Sequence, residues 1–587
     1  MTRLSFSNLG LVLALAACSS GGGSNGTGGT GGGGTGTGGG TSGGSAGKAS
    51  GTGGSTGGTG TGGSTGGTGT GGTGTGGSTG GTGMGGTGTG GTAGMGVTGG
   101  TGGTTGGTGG TSIAGMGQTG GGAGTGAGGM PGGAGTSPGG SGPGGSAGTS
   151  SMTGPVTVNL GMAEQTIDGF GINDTWAPAM SDSDATAMFS VDKGMGLSIL
   201  RVGMNDQGAV MSSNITADIT KAKAAGATKI IGSCWSPPAN CKTNNSINDG
   251  GHVNSSCYDS WSTTITNFAK SNGLYAMSIA NEPDFASCGS SDPCNGNYPT
   301  TVYTANEMVA FLKVAGPKLQ AANIKVIAPE ASEWIHTWSN TSAGPDVGGK
   351  NSSDPLKCGF PATMCTAGNG YDYGHAMYAD KTAWAAFDIM GVHEYDTQKA
   401  EPWPADVPDK KPVWQTEMSG VKWWPEQGPS SDIANGVAVA GWVHSALVDG
   451  QASAWVWWWW TANNTDDNEG IYLKSGTDTK RHYTITNYSR FIRPGYTRVD
   501  VTGAAPANVL LSAYKGSDGT VVIVAINNGM MDQTVPITIS GGTAPAMLTP
   551  WVTSAMDNLV SKTAVAVSSG AFMASFPAQT VTTYVGK

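Results

Sequence analysis

The sequence predicts an α/β barrel of eight parallel strands fused to a small all-β sandwich, behind a long segment that does not fold. Three observations predict this. Short apolar, β-prone runs alternate with helical stretches eight times between residues 165 and 460. That alternation is the pattern of a closed barrel with helices outside. Past Tyr496 the runs shorten and Gly, Asn and Pro turns replace the helices, the pattern of a sandwich. Before residue 151 the chain is almost free of charge and apolar bulk.

Taken in order, residues 1–18 carry Arg3, an apolar run and then Leu15-Ala16-Ala17-Cys18. A basic start before a short apolar stretch is a secretion signal rather than a membrane span. Leu-Ala-Ala-Cys is similar to the bacterial lipoprotein cleavage box, which makes Cys18 the expected lipidated residue. Residues 21–150 hold 69 of the 110 glycines. Such a stretch cannot bury enough apolar surface to offset its ordering entropy, so 19–154 is expected to be a disordered tether. The expected location is outside the cell, anchored by lipid to the bacterial outer membrane.

The barrel strands are expected at 165–173, 197–202, 229–235, 275–282, 325–330, 388–395, 412–417 and 453–460. Helices are expected between them, at 219–225, 261–271, 305–322 and 433–448 among others. The barrel then spans 155–495 and the sandwich 496–587. Sandwich strands are expected at 507–514, 520–526, 534–539, 546–552, 564–567 and 579–585. The strand-like run at 155–160 is expected to join the sandwich from the other end of the body.

Only two of the 28 Lys and Arg residues, Arg3 and Lys48, precede residue 151, and all 38 Asp and Glu follow it. The folded body is therefore strongly acidic. Nucleic acid and anionic membrane surfaces are poor partners for it, and a neutral polymer suits it better. No Gly-rich phosphate loop follows a strand, so no organic cofactor is implied. The cysteine spacings lack a paired C-x-x-C, so no zinc site is expected. Asp466, Asp467 and Glu469 form an acidic loop, expected to be solvated rather than metal-binding. In an exported protein Cys288 with Cys294, and Cys358 with Cys365, suit local disulfides. Cys234, Cys241 and Cys257 leave one over, and their pairing stays open. The body is expected to be a monomer.

The chemistry lies at the predicted strand C-termini, which form the active-site face of such barrels. Arg201, Trp235, Asn281, Glu282, Glu330, His393, Tyr395, Glu417 and Trp458 collect there. Burying these types without partners costs several kcal/mol each, of the order of transfer values. A cleft for a polar, ring-shaped ligand explains them, with aromatic faces against sugar rings and amides or carboxylates on hydroxyls. Glu282 and Glu417 end strands four and seven, on opposite sides of the mouth. Paired carboxylates there are the equipment for glycosidic bond cleavage. Glu282 is expected to be the general acid/base, its pKa raised by burial and by its partner. Glu417 is expected to be the nucleophile, kept ionised by Arg201 and Tyr395. Trp235, Asn281, Tyr395, Trp458 and Arg201 are the expected substrate contacts, and His393 is either a further one or a hydrogen-bonded structural histidine. Glu330 and Glu333 are expected either to stand behind the pair or to be solvated. Strand alternation points Glu394 away from the cleft and divides Trp457 to Trp460 between cleft and helices.

Several motifs, in order, resemble glycoside hydrolase family 30. They are Ile167-Asp-Gly-Phe-Gly171, Ser198-Ile-Leu-Arg-Val202, Trp235-Ser-Pro-Pro238, Asn281-Glu-Pro283, Thr416-Glu417 and Ser489-Arg-Phe-Ile-Arg-Pro-Gly-Tyr496. Leu511-Ser-Ala-Tyr-Lys-Gly516, Val521-Val-Ile-Val-Ala-Ile-Asn527 and Phe576-Pro-Ala-Gln-Thr-Val-Thr-Thr583 continue the likeness to the C-terminus. The C-terminal part looks closest to the bacterial endo-xylanase branch. The resemblance implies a retaining mechanism, with the acid/base on Glu282, the nucleophile on Glu417 and sugar contacts on Trp235, Asn281, Tyr395 and Trp458. The expected substrate is xylan, and related β-1,6-glucanases and β-1,6-galactanases are the alternatives. A non-catalytic glycan-binding lipoprotein is a further alternative, and it would be expected to lack one of the glutamates.

Three departures from the resemblance matter. Glucuronoxylan-specific members grip a glucuronate branch with an arginine and a tyrosine just after strand eight. Here that stretch reads Trp460-Thr-Ala-Asn-Asn-Thr465. Neither Thr nor Asn can fork onto a carboxylate as a guanidinium does, so independence of such branches is expected. Lys422, after strand seven, is the candidate for a partial substitute. The Cys-bearing insert 241–257 and the long loop 337–373 lie on the mouth side and can reshape the cleft.

Overall fold

The computed structural model describes residues 155–248, 250–285, 298–339, 371–395, 400–420, 430–462, 468–473 and 478–587. The expected tether and Cys18 lie outside the described residues. So do Cys288, Cys294, Cys358, Cys365, Lys422 and the stretch 463–467.

Eight parallel strands close into a barrel: β1 Gly169–Asn173, β2 Ile199–Met204, β3 Lys229–Cys234, β4 Ala276–Ser278, β5 Lys325–Ala331, β6 Ile389–His393, β7 Val413–Glu417 and β8 Ala452–Ala462. They pair in sequence order, and β8 closes the ring against both β7 and β1. A short strand, Gly470–Leu473, adds to the free part of β8. The expected barrel with a fused all-β domain is what the chain forms. Several boundaries differ. The run 165–173 divides, since Gln165 and Thr166 end a sandwich strand and the barrel begins only at Gly169. The fourth strand shrinks to three residues, because the chain leaves regular pairing before it reaches Glu282.

Inside the barrel Ile199, Ile231, Ala276, Ile327, Ile389, Trp414, Ala454 and Val456 form one buried cluster. These are the alternate, inward positions of successive strands, stacked as layers. Trp414 seals the N-terminal end. Its indole N–H donates to Asp168 Oδ2 at 3.0 Å, and its ring stacks on Tyr275 at 6.0 Å. The outward positions pack under the helices in a second, larger cluster. The helix Ala305–Ala321 shows why it sits there. Thr304 and Glu307 form a capping box at its start, and Met308, Phe311, Leu312, Ala315 and Leu319 line one buried stripe. Gly316 lets it approach the loop before β6, where a Cβ would lie 2.0 Å from the Ala386 carbonyl oxygen.

The all-β domain is built from both ends of the described body. Val156–Thr166 pairs antiparallel with Thr497–Thr502 and parallel with Gln533–Ser540. Three strands lie beyond the sequence expectation: Thr497–Thr502, the two-residue Val560–Ser561 and Ala571–Phe576. The last has a period-2 burial pattern, but apolar Met573 lies on its exposed side and small Ala574 on its buried one, which weakens its signal. Val521–Asn527 is buried on both faces. Val521, Ile523 and Ala525 enter the sandwich core, while Val522, Val524 and Ile526 join the cluster under the barrel helices. Polar ties fix this contact. Asn487 on the helix Lys480–Ser489 donates to the Trp551 carbonyl at 3.1 Å and accepts from Thr553 Oγ1 at 2.6 Å. Among the described residues no helix is long and apolar enough to cross a membrane.

Candidate active site

The structure brings every proposed mouth residue to the C-terminal end of the barrel, and all are buried. Regular alternation does not achieve this. Trp414 points into the barrel, so strict alternation along β7 would turn Glu417 outward. A bulge intervenes: β6 and β7 pair Val392 with Gln415, then His393 with Glu417. Two residues on β7 face one on β6, and Glu417 is re-aimed inward. On β5 the pairing passes from Pro329–Gly391 to Ala331–Val392, and the skipped Glu330 has a φ of 64°. Glu282 has a φ of 46°. Its N–H still donates to the Glu330 carbonyl at 3.0 Å. Left-handed backbone at a non-glycine residue costs about 1–3 kcal/mol, so the surrounding packing must hold both in place.

Arg201 organises the centre. One guanidinium nitrogen donates to Glu417 Oε2 at 2.6 Å, and another donates to Asn281 Oδ1 at 2.6 Å and lies 3.3 Å from Glu330 Oε2. Its plane rests 5.1 Å from the Trp235 ring centre. Tyr395 donates its hydroxyl to Glu417 Oε1 at 3.0 Å. Glu282 Oε1 lies 3.0 Å from His393 Nδ1, while its Oε2 is buried and meets no hydrogen-bond partner among the described residues. That open oxygen is the one free to reach a substrate atom. His393 therefore rests against the carboxyl of Glu282 rather than standing free as a sugar contact.

Burial pushes both carboxyls up, and their environments separate them. For Glu282 the charge of Glu417 adds to burial and holds its pKa well above the usual carboxylate range. Glu417 is pushed up to about 7, burial being opposed by the Arg201 charge and by the hydrogen bonds from Arg201 and Tyr395. The proton therefore stays longer on Glu282. Burial, then the Arg201 charge, drives the His393 pKa well down, so its ring is neutral. Two carboxyls with pKa values pushed apart supply one acid and one base at one place.

Carboxylate oxygens of Glu282 and Glu417 and a nitrogen of His393 lie within 4.8 Å of one another. Among the described residues this is the one group that could ligate a metal ion. The Arg201 guanidinium already occupies Glu417, and its charge makes the position a poor one for a cation.

The four tryptophans of β8 do not divide by simple alternation. Ile172 pairs with Trp457 and Asn173 with Trp459, which leaves Trp458 on a bulge. Trp457, Trp459 and Trp460 donate their indole N–H groups to the Glu469 carbonyl, the Thr175 carbonyl and Asp174 Oδ1. Trp458 alone joins Trp235 and Trp176 in the aromatic wall at 6.2 and 6.1 Å. Its N–H is buried and meets no acceptor among the described residues. Glu394 accepts from Trp455 on the helix side of β8, away from the pair. Glu333 lies 3.2 Å from His336, which also bonds Asp284 at 2.7 Å, behind the acid loop.

Sequence reasoning missed Ser233, which donates to Glu330, and Trp176 in the aromatic wall. Ser233 is inward on β3 by the same alternation as Ile231, so its position was readable. Trp176 was not, since its placement depends on a φ of 60°. Of the three cysteines left open, Cys241 and Cys257 are bonded and Cys234 is a buried free thiol. The insert that Cys241 and Cys257 close begins shortly after Trp235, past Pro237 and Pro238. It is pinned by Lys242, which donates to Ser236 Oγ and the Ile247 carbonyl, each at 3.2 Å, and by His252 against Glu307 at 2.8 Å.

Comparison with known proteins agrees with this geometry. Residues 495–584 match the family model described as the glycosyl hydrolase family 30 beta sandwich domain. A glucuronoxylanase, XynC of Bacillus subtilis strain 168, is 30% identical over 454 residues, covering 73% of this chain and 91% of that protein. The crystal structure of a family 30 subfamily 8 xylanase from Clostridium acetobutylicum superimposes with a TM-score of 0.59 at 27% identity, covering 74% of this chain and 99% of that one. A family 30 endoxylanase from Clostridium papyrosolvens C71 gives 0.57 at 27% identity, covering 74% and 100%. The chain belongs to glycoside hydrolase family 30 and is a glycoside hydrolase.

Proposed function

We propose that the chain is a retaining endo-β-1,4-xylanase that does not depend on glucuronate branches. One observation carries the mechanism: one oxygen of each of two buried carboxyls lies within 4.8 Å of the other across the mouth, and one carboxyl is hydrogen-bonded by a guanidinium and a phenol, the other not. Retention calls for carboxyl groups roughly 5–5.5 Å apart, and inversion needs a wider gap for water. Glu417 attacks the anomeric carbon while Glu282 gives its proton to the leaving oxygen. A glycosyl ester on Glu417 results. Glu282, now a base, takes a proton from water, which attacks the anomeric carbon and releases the sugar with retained configuration. Arg201 and Tyr395 hold Glu417 as a carboxylate in the approach. Trp235 and Trp458 offer faces to the sugar ring, and Asn281 offers an amide to a hydroxyl.

Xylan as substrate is supported by the xylanase names of the relatives. Branch independence is supported by the sequence at and just past the end of β8, where Thr461, Asn463, Asn464 and Thr465 stand without an arginine or tyrosine. The lipoprotein-like Leu15-Ala16-Ala17-Cys18 and the glycine-rich segment support a tethered enzyme on the cell surface. Products released from linear xylan, glucuronoxylan, β-1,6-glucan and β-1,6-galactan test the reading, with Glu417→Gln beside the native chain. Xylo-oligomers from both xylans, absent with the variant, are expected. Cleavage of glucuronoxylan alone would refute branch independence, and cleavage of a β-1,6 polymer alone would refute the substrate.

A further inference from the structure

We infer that Glu330 is a positioning residue for the carboxylate pair: from one buried position it governs how the proton is held between Glu282 and Glu417. The inference rests on the assignment of that pair as acid/base and nucleophile.

The backbone is the first indication. Glu330 is the residue skipped in the β5–β6 pairing and it is left-handed. β6 accommodates it with Gly391, where a Cβ would stand 3.3 Å from both the Cα and the Cβ of Glu330. An apolar residue in regular β5 geometry would pack the barrel without this strain. The bulge instead delivers a carboxylate to the centre, fully buried.

The contacts are the second indication. The Glu330 carbonyl accepts the N–H of Glu282. Its Oε2 accepts from Ser233 and faces the Arg201 nitrogen that also bonds Asn281. Its Oε1 meets no donor among the described residues and lies 4.0 Å from His393 Nε2. The charged or titratable groups around it are Arg201 on β2, Cys234 on β3, Glu282 after β4, His393 on β6 and Glu417 on β7. A single residue therefore touches the backbone of the acid, the cation that serves the nucleophile and the ring that bonds the acid.

Two consequences follow from charge. One Arg201 guanidinium serves two carboxylates, so Glu330 takes part of the positive charge that would otherwise fall on Glu417. Around Arg201, the carboxylates of Glu330 and Glu417 together leave one excess negative charge beside Glu282, which favours keeping its proton. His393 is neutral and carries one ring hydrogen. A carboxylate charge 4.0 Å from Nε2 favours that hydrogen on Nε2 through its field, without a hydrogen bond, which leaves the Nδ1 lone pair to accept the Glu282 O–H. Glu330 thus holds Glu282 in its acid form through His393 and tempers Glu417 through Arg201. The direction agrees with the influence of Glu330, which raises both partners.

Glu330→Gln in the full chain keeps the shape and an acceptor for Ser233 and removes the charge. Both limbs of the kcat/KM–pH profile are expected to move to lower pH by about one unit or more, the size of a nearby charge effect. Turnover at pH 7 then falls about tenfold, a unit of pKa being a factor of ten, with KM little changed. A second readout needs no substrate. Folded-state values raised above the unfolded ones give stability that is complete at acid pH and lost as pH rises through them. The native chain's Tm should therefore fall between pH 5 and pH 8, and Glu330→Gln should flatten that fall. Unmoved limbs and an unchanged fall in Tm would overturn the inference and make Glu330 a structural filler. Should Glu330→Gln fail to fold, Ser233→Ala must move the limbs in the same direction by a smaller amount, and no movement overturns it equally. Glu417→Gln run alongside separates the two readings. An inactive Glu417→Gln with an unmoved Glu330→Gln profile sinks this inference alone, whereas an active Glu417→Gln sinks the pair and the inference with it.

Discussion

The two ends of the barrel follow different rules. At the N-terminal end Ile199, Ile231, Ile327, Ile389 and Trp414 fill the interior from regular inward positions. At the C-terminal end Glu282 and Glu330 have left-handed backbone, and Glu330, Glu417 and Trp458 sit at breaks in the pairing. The lower half is a packed core in which one apolar residue can stand for another of like size. The upper half needs particular atoms at particular distances, and it departs from the ideal strand to obtain them. Stability is thus concentrated in one end and chemistry in the other.

Four experiments break or sharpen this contrast, from the largest expected effect to the smallest. Glu417→Gln should lower turnover on xylan by about four orders of magnitude or more, as removal of a nucleophile does, while leaving the thermal transition in place. Reducing-end assays beside calorimetry check it, and a collapse of Tm would show that the upper end also carries stability. Trp414→Ala should do the reverse. Truncating a fully buried tryptophan costs about 3–5 kcal/mol, read in urea unfolding, while KM of the remaining folded enzyme stays close to native. A large change in KM would mean that the two ends are coupled.

Tyr395→Phe tests the electrostatics of the mouth. The phenol donates to Glu417 and holds its pKa down, so losing it must push that group above its value of about 7. The acid limb of kcat/KM should move to higher pH, the hydrogen bond to a charged group being worth about 1.5–3 kcal/mol. A limb that moves to lower pH would place that pKa on another group. The smallest effect is on stability. Glu282 has a folded pKa raised above its unfolded one, so it contributes stability at acid pH that is lost as pH rises. Glu282→Gln should therefore have a higher Tm than the native chain at pH 8 and no such advantage at pH 4.5. An equal or lower Tm at pH 8 would argue that the carboxyl is not held against its burial.

Much of this contrast was readable before folding. Eight apolar runs spaced by helical stretches specify a barrel, because only a closed parallel sheet covered by helices buries such strands on both faces. The strand-end residues were readable for the same reason: Arg201, Asn281, Glu282, His393, Tyr395 and Glu417 each follow an apolar run directly. The sandwich was partly readable, and its missed strands were the ones with weak alternation, such as Ala571–Phe576. Glu330 was underweighted because nothing local marks a residue that a bulge will turn inward.

What the sequence by itself determined is the set of elements and the end of the barrel on which the polar residues collect, since both follow from periodicity along the chain. Which way those residues face was decided only by the tertiary structure. Period 2 would have sent Glu417 outward, and a one-residue slip between β6 and β7 reversed it. Pairing register depends on two strands at once, so no single run contains it. The same holds for the charges: Glu282 and Glu417 are the same residue type, and they differ because Arg201 and Tyr395, distant in the chain, close on one of them and not on the other.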